Sequence, residues 1–263
     1  MKFKSAANGW LVLPKPNPAA RMRLFCLPYA GGTPLTFSDW PSALPEDIEV
    51  CPILLPGRGM RASVPPFTRL APLIESLTHA LRPFLDKPFA LFGHSMGGLI
   101  CFEFTRTLRR RFNLQPEALF LAGRQAPPIQ DRTTARYDLP EPQFVEELRR
   151  LNGTPPEILE QPELMRLLVP LLRADFEVCQ TYVYEPGRPL DCQMFVFSGL
   201  QDDEVSYEEL EGWRPHTTAT FSLRMLPGDH FFIRTAQSQL LEMISAELRQ
   251  LLNKPHENQY ATL

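Results

Sequence analysis

The sequence lacks the marks of disulfide-rich, secreted and membrane-spanning proteins. Its five cysteines are scattered and contain no Cys-x-x-Cys pair, so we interpret them as reduced packing residues and predict a cytoplasmic location. No apolar run approaches the length of a bilayer span. The N-terminus has no unbroken apolar segment followed by a small-residue cleavage site, which argues against a secretory signal.

A strong charge bias is also missing. The formal net charge is −3 and 22% of the residues are charged, so the composition gives no sign of nucleic-acid or membrane binding as the main role. With 263 residues, 44% of them hydrophobic, the chain is long enough to build one large core. We therefore expect one soluble domain. We also expect no metal site.

Short apolar runs alternate with helical spacing along the chain. The runs end at Gly or Pro, which is typical of strands buried on both faces of a parallel sheet. They lie at 24–27, 50–55, 89–92, 118–121 and 194–197, and the helical patterns between them include 70–85 and 96–112. This alternation predicts an α/β fold with a mostly parallel central sheet and helices on both faces.

The alternation breaks at residues 127–189. This stretch has helical patterns at 142–151 and 162–184 but no convincing strand before Met194. We interpret it as a helical lid insertion over the carboxyl edge of the sheet, although an ordinary crossover with long helices is the alternative. The predicted division is a core of 1–126 and 190–252, a lid of 127–189 and a flexible tail of 253–263.

The clearest motif is G-x-S-x-G at Gly93-His94-Ser95-Met96-Gly97. It directly follows an apolar strand and precedes a helix, the context of a strained nucleophile turn in α/β-hydrolases. Gly93 and Gly97 leave room for the backbone to pass close to its neighbours. Free N–H groups at the start of the helix favour negative charge there. The pattern predicts Ser95 as the nucleophile and the Met96 N–H as an oxyanion donor.

Only five histidines compete for the role of the general base. In this fold the triad residues follow in the order Ser, Asp, His, so the base lies well after Ser95. His216 belongs to a polar run and His256 to the predicted tail. The remaining candidate is His230, on a loop after an apolar strand at 221–226. We predict His230 as the base.

The acid is expected just after the preceding strand. That loop offers Asp202, Asp203 and Glu204, and the spacing G-x-x-D after the strand favours Asp202. Asp203 stays open as the alternative, because a loop register cannot be assigned to one residue from sequence. Asp229, next to the base, is expected to shape its loop.

The second oxyanion donor is expected from the loop after the first core strand. The candidates there are the N–H groups of Ala30 and Gly31 in Pro-Tyr-Ala-Gly-Gly. A plain glycine turn is the alternative. Its position before the nucleophile unit favours the functional role.

Six motifs, spread over nearly the whole chain, resemble in sequence and order those of the type II thioesterases that accompany nonribosomal peptide and polyketide synthases. That family also includes the medium-chain fatty-acid-releasing thioesterase. The motifs are PYAGG (28–32), LPGRG (55–59), GHSMGG (93–98), LLRADF (171–176), GxxD (199–202) and GDHFF (228–232).

The resemblance implies an α/β-hydrolase that hydrolyses acyl or aminoacyl thioesters on the phosphopantetheine arm of a carrier protein and removes aberrant or stalled groups. It implies no bound cofactor, since the pantetheine belongs to the partner. We further expect a monomer. The implied roles are Ser95 as nucleophile, Asp202 as acid, His230 as base, and Ala30 and Met96 as oxyanion donors.

Several features keep alternatives. For Arg58 we favour a structural role in which it fixes its own loop, and a substrate contact is the alternative. For the arginines at 109–111 we favour an interaction with the helix dipole, and a binding site for a carrier protein is the alternative. Apolar lid residues such as Leu164, Leu167, Leu168 and Phe176 either line an acyl pocket or pack the lid. For the whole chain, a small-molecule carboxylesterase or lipase is the second hypothesis, and a noncatalytic binding protein the third.

Overall fold

The computed structural model describes residues 4–5, 9–129 and 135–254. Its strands are β1 Lys4–Ser5, β2 Val12–Leu13, β3 Met22–Leu27, β4 Ile48–Pro52, β5 Phe89–His94, β6 Ala118–Ala122, β7 Gln193–Gly199 and β8 Phe221–Leu226. Strands β3 to β8 form a six-stranded sheet with the order β4-β3-β5-β6-β7-β8, and all its neighbouring strands are parallel. The predicted α/β class with a mostly parallel sheet is confirmed. The short antiparallel pair β1–β2 was not predicted.

Helices connect the strands and cover both faces of the sheet. The α-helices are α1 Trp40–Ala43, α2 Leu70–Leu81, α3 Met96–Phe112, α4 Glu141–Leu151, α5 Pro156–Leu159, α6 Pro162–Gln180, α7 Tyr207–Glu211, α8 Phe232–Thr235 and α9 Gln237–Leu252. Single 3₁₀ turns lie at Pro34–Phe37, Gly59–Arg61, Arg82–Phe84, Arg136–Asp138 and Arg214–His216. The pattern at 70–85 therefore ends as a helix at Leu81 and continues as a tighter turn.

Strand β3 shows how the sheet separates two cores. Successive side chains of a strand point to opposite faces. Phe25 and Leu27 pack in the cluster that α2 and α3 cover. Leu24 and Cys26 pack in the cluster that α9 covers. Because both faces are apolar, the strand has a continuous apolar run in place of an alternating pattern.

Strand β4 is offset from its predicted position. The apolar run at 50–55 predicted the strand, but the structure places it at Ile48–Pro52. Beyond Pro52 the chain turns towards the N-terminal segment, where the Leu54 N–H donates to the Trp10 carbonyl at 2.7 Å. Residues 53–55 are buried there. An apolar run alone does not distinguish a strand from a buried loop.

The described residues between β6 and β7 form helices, turns and irregular loops, and the β-structure among them is the isolated bridge of Leu190 with Thr217. Their helices α4, α5 and α6 build a small core of their own from Phe144, Leu148, Met165, Val169 and Leu172. This arrangement fits a helical insertion, and its exact boundaries at 127 and 189 stay a prediction. Residues 255–263 of the predicted tail lie outside the described residues.

The five cysteines are free thiols. Cys26, Cys51, Cys101 and Cys192 are buried, and Cys179 is half-buried. Burial raises the pKa of the Cys26 and Cys101 thiols well above the ordinary value. Among the described helices, none has the length and apolar character that a membrane span requires.

Candidate active site

Ser95 lies in a strained turn between β5 and α3. Its backbone has φ 53° and ψ −113°, a conformation that costs energy for a residue with a side chain. Two close approaches leave no room for a larger residue on either side. A Cβ on Gly93 would lie 2.2 Å from the Gly97 carbonyl oxygen, and a Cβ on Gly97 would lie 2.2 Å from that of Leu27. The surrounding backbone thus holds Ser95 at the start of α3.

Asp202 and His230 meet at the carboxyl edge of the sheet. Asp202 follows β7 and His230 follows β8, which are neighbouring parallel strands. The Asp202 Oδ2 lies 3.0 Å from the His230 Nδ1, and Oδ1 lies 3.2 Å from the same nitrogen. Since Nδ1 faces the carboxylate, the proton on Nδ1 is held there and Nε2 is left to accept a proton.

The surroundings of Asp202 favour its ionised form. Burial alone would raise the pKa of this carboxyl, but the hydrogen bonds from His230, Ser198 and the Glu204 N–H outweigh burial and lower the pKa. The Ser198 hydroxyl donates to Oδ2 at 2.7 Å and the Glu204 N–H to Oδ1 at 2.9 Å. Asp203, the open alternative, is exposed. The structure brings Asp202 to His230.

His94, for which the sequence predicted no role of its own, is fully buried beside the candidate base. Its Nε2 lies 2.8 Å from the backbone carbonyl oxygen of His230 and donates to it. Its Nδ1 has no partner within the described part of the chain. Burial is the main cause that lowers the pKa of His94 to about 3, so the ring is neutral at neutral pH. A neutral His94 therefore holds the loop that carries His230.

This burial predicts a pH-dependent stability. The ordinary pKa of histidine is 6.5, and the pKa of folded His94 is about 3. Between these two pH values the unfolded chain binds a proton at His94 and the folded chain does not. The contribution of His94 to the free energy of unfolding is complete above pH 6.5. It is lost as the pH falls from 6.5 towards 3, at about 1.4 kcal/mol per pH unit. Urea unfolding of wild type and His94→Gln between pH 6.5 and 4.5 measures it. The variant is expected to have the shallower slope, and equal slopes would contradict the assignment.

The turn after β3 has two of its amides engaged within the protein. The Gly32 N–H donates to the Tyr29 carbonyl at 2.8 Å, and the Gly31 N–H donates to Asp175 Oδ2 at 2.7 Å. Gly31 therefore cannot serve as an oxyanion donor in this arrangement. Ala30 lines the same cavity as Ser95 and His230. Of the two candidates in this turn, Ala30 is the one that remains.

A cavity of about 390 Å³ lies beneath the inserted helices. Its lining includes Ser95, Asp202 and His230 and, from α4 and α6, Leu148, Leu172 and Phe176. Leu168 packs in the small core of the insertion instead. Leu164 and Leu167 are exposed. The insertion thus covers the candidate catalytic residues as a lid would.

Salt bridges connect the insertion to the loop of the candidate acid. Glu204 pairs with Arg136 at 2.8 Å and with Arg150 at 2.7 Å, and its N–H donates to Asp202. Arg136 also pairs with Glu147 on α4 at 2.6 Å. The carboxylate position is therefore coupled to the inserted helices. In the described ranges, no group of three or more His, Cys, Asp or Glu side chains is placed to hold a metal ion.

Arg58 and the arginine run at 109–111 both form hydrogen bonds or ion pairs within the protein. Arg58 is buried and its guanidinium donates to Asp175, to the Gly32 carbonyl and to the Pro56 carbonyl. Of the arginines at 109–111, Arg109 donates to two carbonyl groups in the segment before β7, and Arg111 pairs with Glu75 on α2. The contacts of Arg58 match the structural role that we favoured for it, whereas those of Arg109 and Arg111 are with other segments, so the helix-dipole role stays a prediction.

Comparison with known proteins identifies the family of this site. The thioesterase-domain family model matches residues 22–248, which include all five predicted site residues. The chain belongs to the thioesterase family. Together with the relatives described next, this match confirms the predicted identification as a serine hydrolase of the type II thioesterase group.

Named relatives span nearly the whole chain. The gramicidin S biosynthesis protein GrsT of Aneurinibacillus migulanus is 44% identical over 252 residues, which cover 96% of this chain and 98% of that protein. The RedJ thioesterase of the prodiginine pathway in Streptomyces coelicolor superposes with a TM-score of 0.83 at 36% identity, covering 89% of this chain and 96% of RedJ. The type II thioesterase BorB of the borrelidin cluster gives 0.85 at 32% identity, covering 94% and 100%.

Proposed function

We propose that this thioesterase releases aberrant or stalled acyl and aminoacyl groups from the phosphopantetheine arm of carrier proteins in nonribosomal peptide or polyketide synthesis. The observation that supports this proposal most directly is the contact between Asp202 and His230. Both residues line the cavity beneath the inserted helices, as does Ser95. The names of GrsT, RedJ and BorB place those relatives in gramicidin S, prodiginine and borrelidin biosynthesis, and the structural neighbour ClbQ comes from the colibactin NRPS/PKS pathway. Their likeness to most of this chain supports the same substrate class.

In the proposed first half-reaction, the Ser95 Oγ attacks the thioester carbonyl carbon while its proton passes to His230 Nε2. The N–H groups of Ala30 and Met96 stabilise the negative charge on the carbonyl oxygen. The C–S bond then breaks, the pantetheine sulfur takes the proton from His230, and the acyl group stays on Ser95.

In the second half-reaction, His230 removes a proton from water, which attacks the acyl ester. The bond to Ser95 Oγ breaks and the proton returns to Oγ, so the free acid leaves and the enzyme is restored. Asp202 stays ionised and holds the imidazole in the orientation that both steps need. These residues need no metal or bound cofactor for this sequence of steps.

The test compares two kinds of substrate. Carrier protein loaded with acetyl, medium-chain or aminoacyl pantetheine is incubated with wild type and, as the blank, with Ser95→Ala. A p-nitrophenyl ester of the same acyl chain is assayed in parallel. We expect Ser95-dependent release from the carrier with a higher kcat/KM than for the ester. Rapid ester cleavage with loaded carriers left intact would instead indicate a carboxylesterase, and no turnover of either would indicate a binding protein.

A further inference from the structure

A buried ion pair joins the inserted helix α6 to the turn that carries Ala30. Arg58 Nη2 lies 2.7 Å from Asp175 Oδ1, and the two side chains are only 3% and 4% exposed. The partners are 117 residues apart in the chain. Burying two charges costs so much solvation that such a pair is weak evidence for added stability. Its contacts point to a more specific role.

The Arg58–Asp175 pair forms hydrogen bonds with two successive residues of the turn at 28–32, Gly31 and Gly32. The free oxygen of the carboxylate, Asp175 Oδ2, accepts the Gly31 N–H at 2.7 Å. The free end of the guanidinium, Arg58 Nη1, donates to the Gly32 carbonyl at 3.0 Å. One N–H and one C=O of the turn are therefore fixed by charged groups, which form the stronger class of hydrogen bond.

Helix α6 also packs directly on this turn. Gly31 has φ +75°, and a Cβ there would lie 2.5 Å from the Leu172 Cδ2 on α6. Leu172 and Phe176, on either side of Asp175 along α6, line the cavity. The same helix thus forms part of the cavity wall and holds the turn through Asp175. A shift of α6 would move both.

We propose that Arg58 and Asp175 are positioning residues for the oxyanion hole: by holding Gly31 and Gly32 they set the direction of the Ala30 N–H. This rests on the proposed catalytic roles of Ser95 and Ala30. Because the Gly31 N–H is occupied by the carboxylate, the turn presents the Ala30 N–H alone to the carbonyl oxygen. Without the pair the turn relaxes, and the donor is displaced from the place where negative charge develops.

The main test removes both charges together. The double variant Arg58→Met/Asp175→Leu leaves no unpaired buried charge, and such apolar replacements are often neutral or stabilising for the fold. An acyl-N-acetylcysteamine thioester serves as substrate, since its turnover needs Ser95 but no carrier. We expect kcat to fall about 10- to 100-fold, as for a displaced catalytic donor, with the melting temperature near that of wild type.

Two inhibitors separate positioning from general damage. An alkyl boronic acid forms a tetrahedral adduct with the serine and needs the oxyanion donors, whereas a thioether analogue of the substrate needs only the cavity. The affinity for the boronic acid is expected to fall in parallel with kcat, while KM and the affinity for the thioether stay within about threefold. A kcat within about twofold of wild type, or an equal loss of both affinities, would overturn the proposal.

A matched control and a milder variant complete the experiment. Arg23 and Glu49 form a largely buried ion pair at 3.0 Å near the amino ends of β3 and β4, at the opposite edge of the sheet. Arg23→Met/Glu49→Leu is expected to keep kcat and the affinity for the boronic acid. If Arg58→Met/Asp175→Leu does not fold, Asp175→Asn replaces it, because an amide can satisfy only one of the two bonds. It is expected to lower kcat about tenfold.

The outcomes also separate this proposal from the proposed function. If wild type hydrolyses the small thioester but not loaded carriers, the carrier substrate is wrong and the positioning test still stands. If wild type unloads carriers and Arg58→Met/Asp175→Leu does so at the wild-type rate, the positioning proposal alone is wrong. The boronic acid measurement needs no turnover and decides the positioning role in either case.

Discussion

Replacing Asp202 by asparagine is expected to lower kcat about 10⁴-fold, while the same replacement of Asp203 leaves kcat within about twofold of wild type. In Asp202→Asn only one side-chain oxygen is left for the two bonds that Ser198 and the Glu204 N–H make to separate carboxylate oxygens. This oxygen keeps the bond from the Glu204 N–H at the Oδ1 position, and the NH₂ takes the position of Oδ2. The amide NH₂ then faces His230 Nδ1 and stabilises the tautomer with the proton on Nε2. That tautomer cannot accept the proton of Ser95.

Single-turnover and steady-state rates on an acyl-N-acetylcysteamine thioester measure this effect, with Asp203→Asn as the matched control one residue away. Asp203 is exposed although it lines the cavity, so its replacement removes a solvated carboxylate and leaves the contact between Asp202 and His230 in place. Circular dichroism at neutral pH checks that both variants are folded. A large loss in Asp203→Asn together with near-normal turnover in Asp202→Asn would transfer the acid role to Asp203.

The parts of this molecule that sequence could predict are those that short segments specify. Ser95 lies in a motif whose glycines, strand and helix are all adjacent in the chain. Its neighbourhood could therefore be inferred without any knowledge of distant contacts. Asp202 and His230 each follow an apolar strand, and parallel strands bring their carboxyl ends to one edge. The choice between Asp202 and Asp203 needed coordinates, because one residue of loop register changes which carboxylate turns inward.

The contacts that sequence could not predict are those between distant segments. Asp175 lies 144 residues from Gly31, and only the folded chain places its carboxylate on the turn. The motif R-A-D was visible, but nothing in its spacing indicated a partner. His94 was considered only as a neighbour of Ser95, and its contact with the carbonyl of His230 depends on how β8 ends. For β1 and β2, two residues each are too short for any periodic pattern.

Lid residues illustrate a related limit. The helical spacing at 162–184 correctly placed a long helix, which the structure ends at Gln180. The same spacing could not tell which of its apolar faces meets the cavity. Phe176 lines the cavity, whereas Leu167 is 77% exposed although both belong to one helix. Orientation about a helix axis is set by tertiary packing, which the sequence pattern of a single element does not contain.

Gly97→Ala is expected to destabilise the fold by about 3 kcal/mol or more and to lower kcat about 100-fold in whatever fraction folds. A Cβ at this position would meet the Leu27 carbonyl oxygen at 2.2 Å and that of Pro28 at 2.9 Å. Both contacts are backbone atoms, so no side chain can rotate to make room. Helix α3 must then move away from the turn after β3, which separates the Met96 N–H from the Ala30 N–H.

Gly98→Ala is the matched control, one residue further along the same helix. Its nearest neighbours would be the Arg124 Cβ at 3.2 Å and the Gly93 carbonyl oxygen at 3.4 Å, and alanine gains about 1 kcal/mol of helix propensity over glycine. We expect its unfolding free energy within about 1 kcal/mol of wild type. Urea unfolding and thioester turnover of the two variants measure both effects. Equal stability of both variants would mean that β3 and α3 do not approach as closely as the structure places them. In that case no rigid backbone contact between β3 and α3 would hold the Ala30 N–H and the Met96 N–H at a fixed separation.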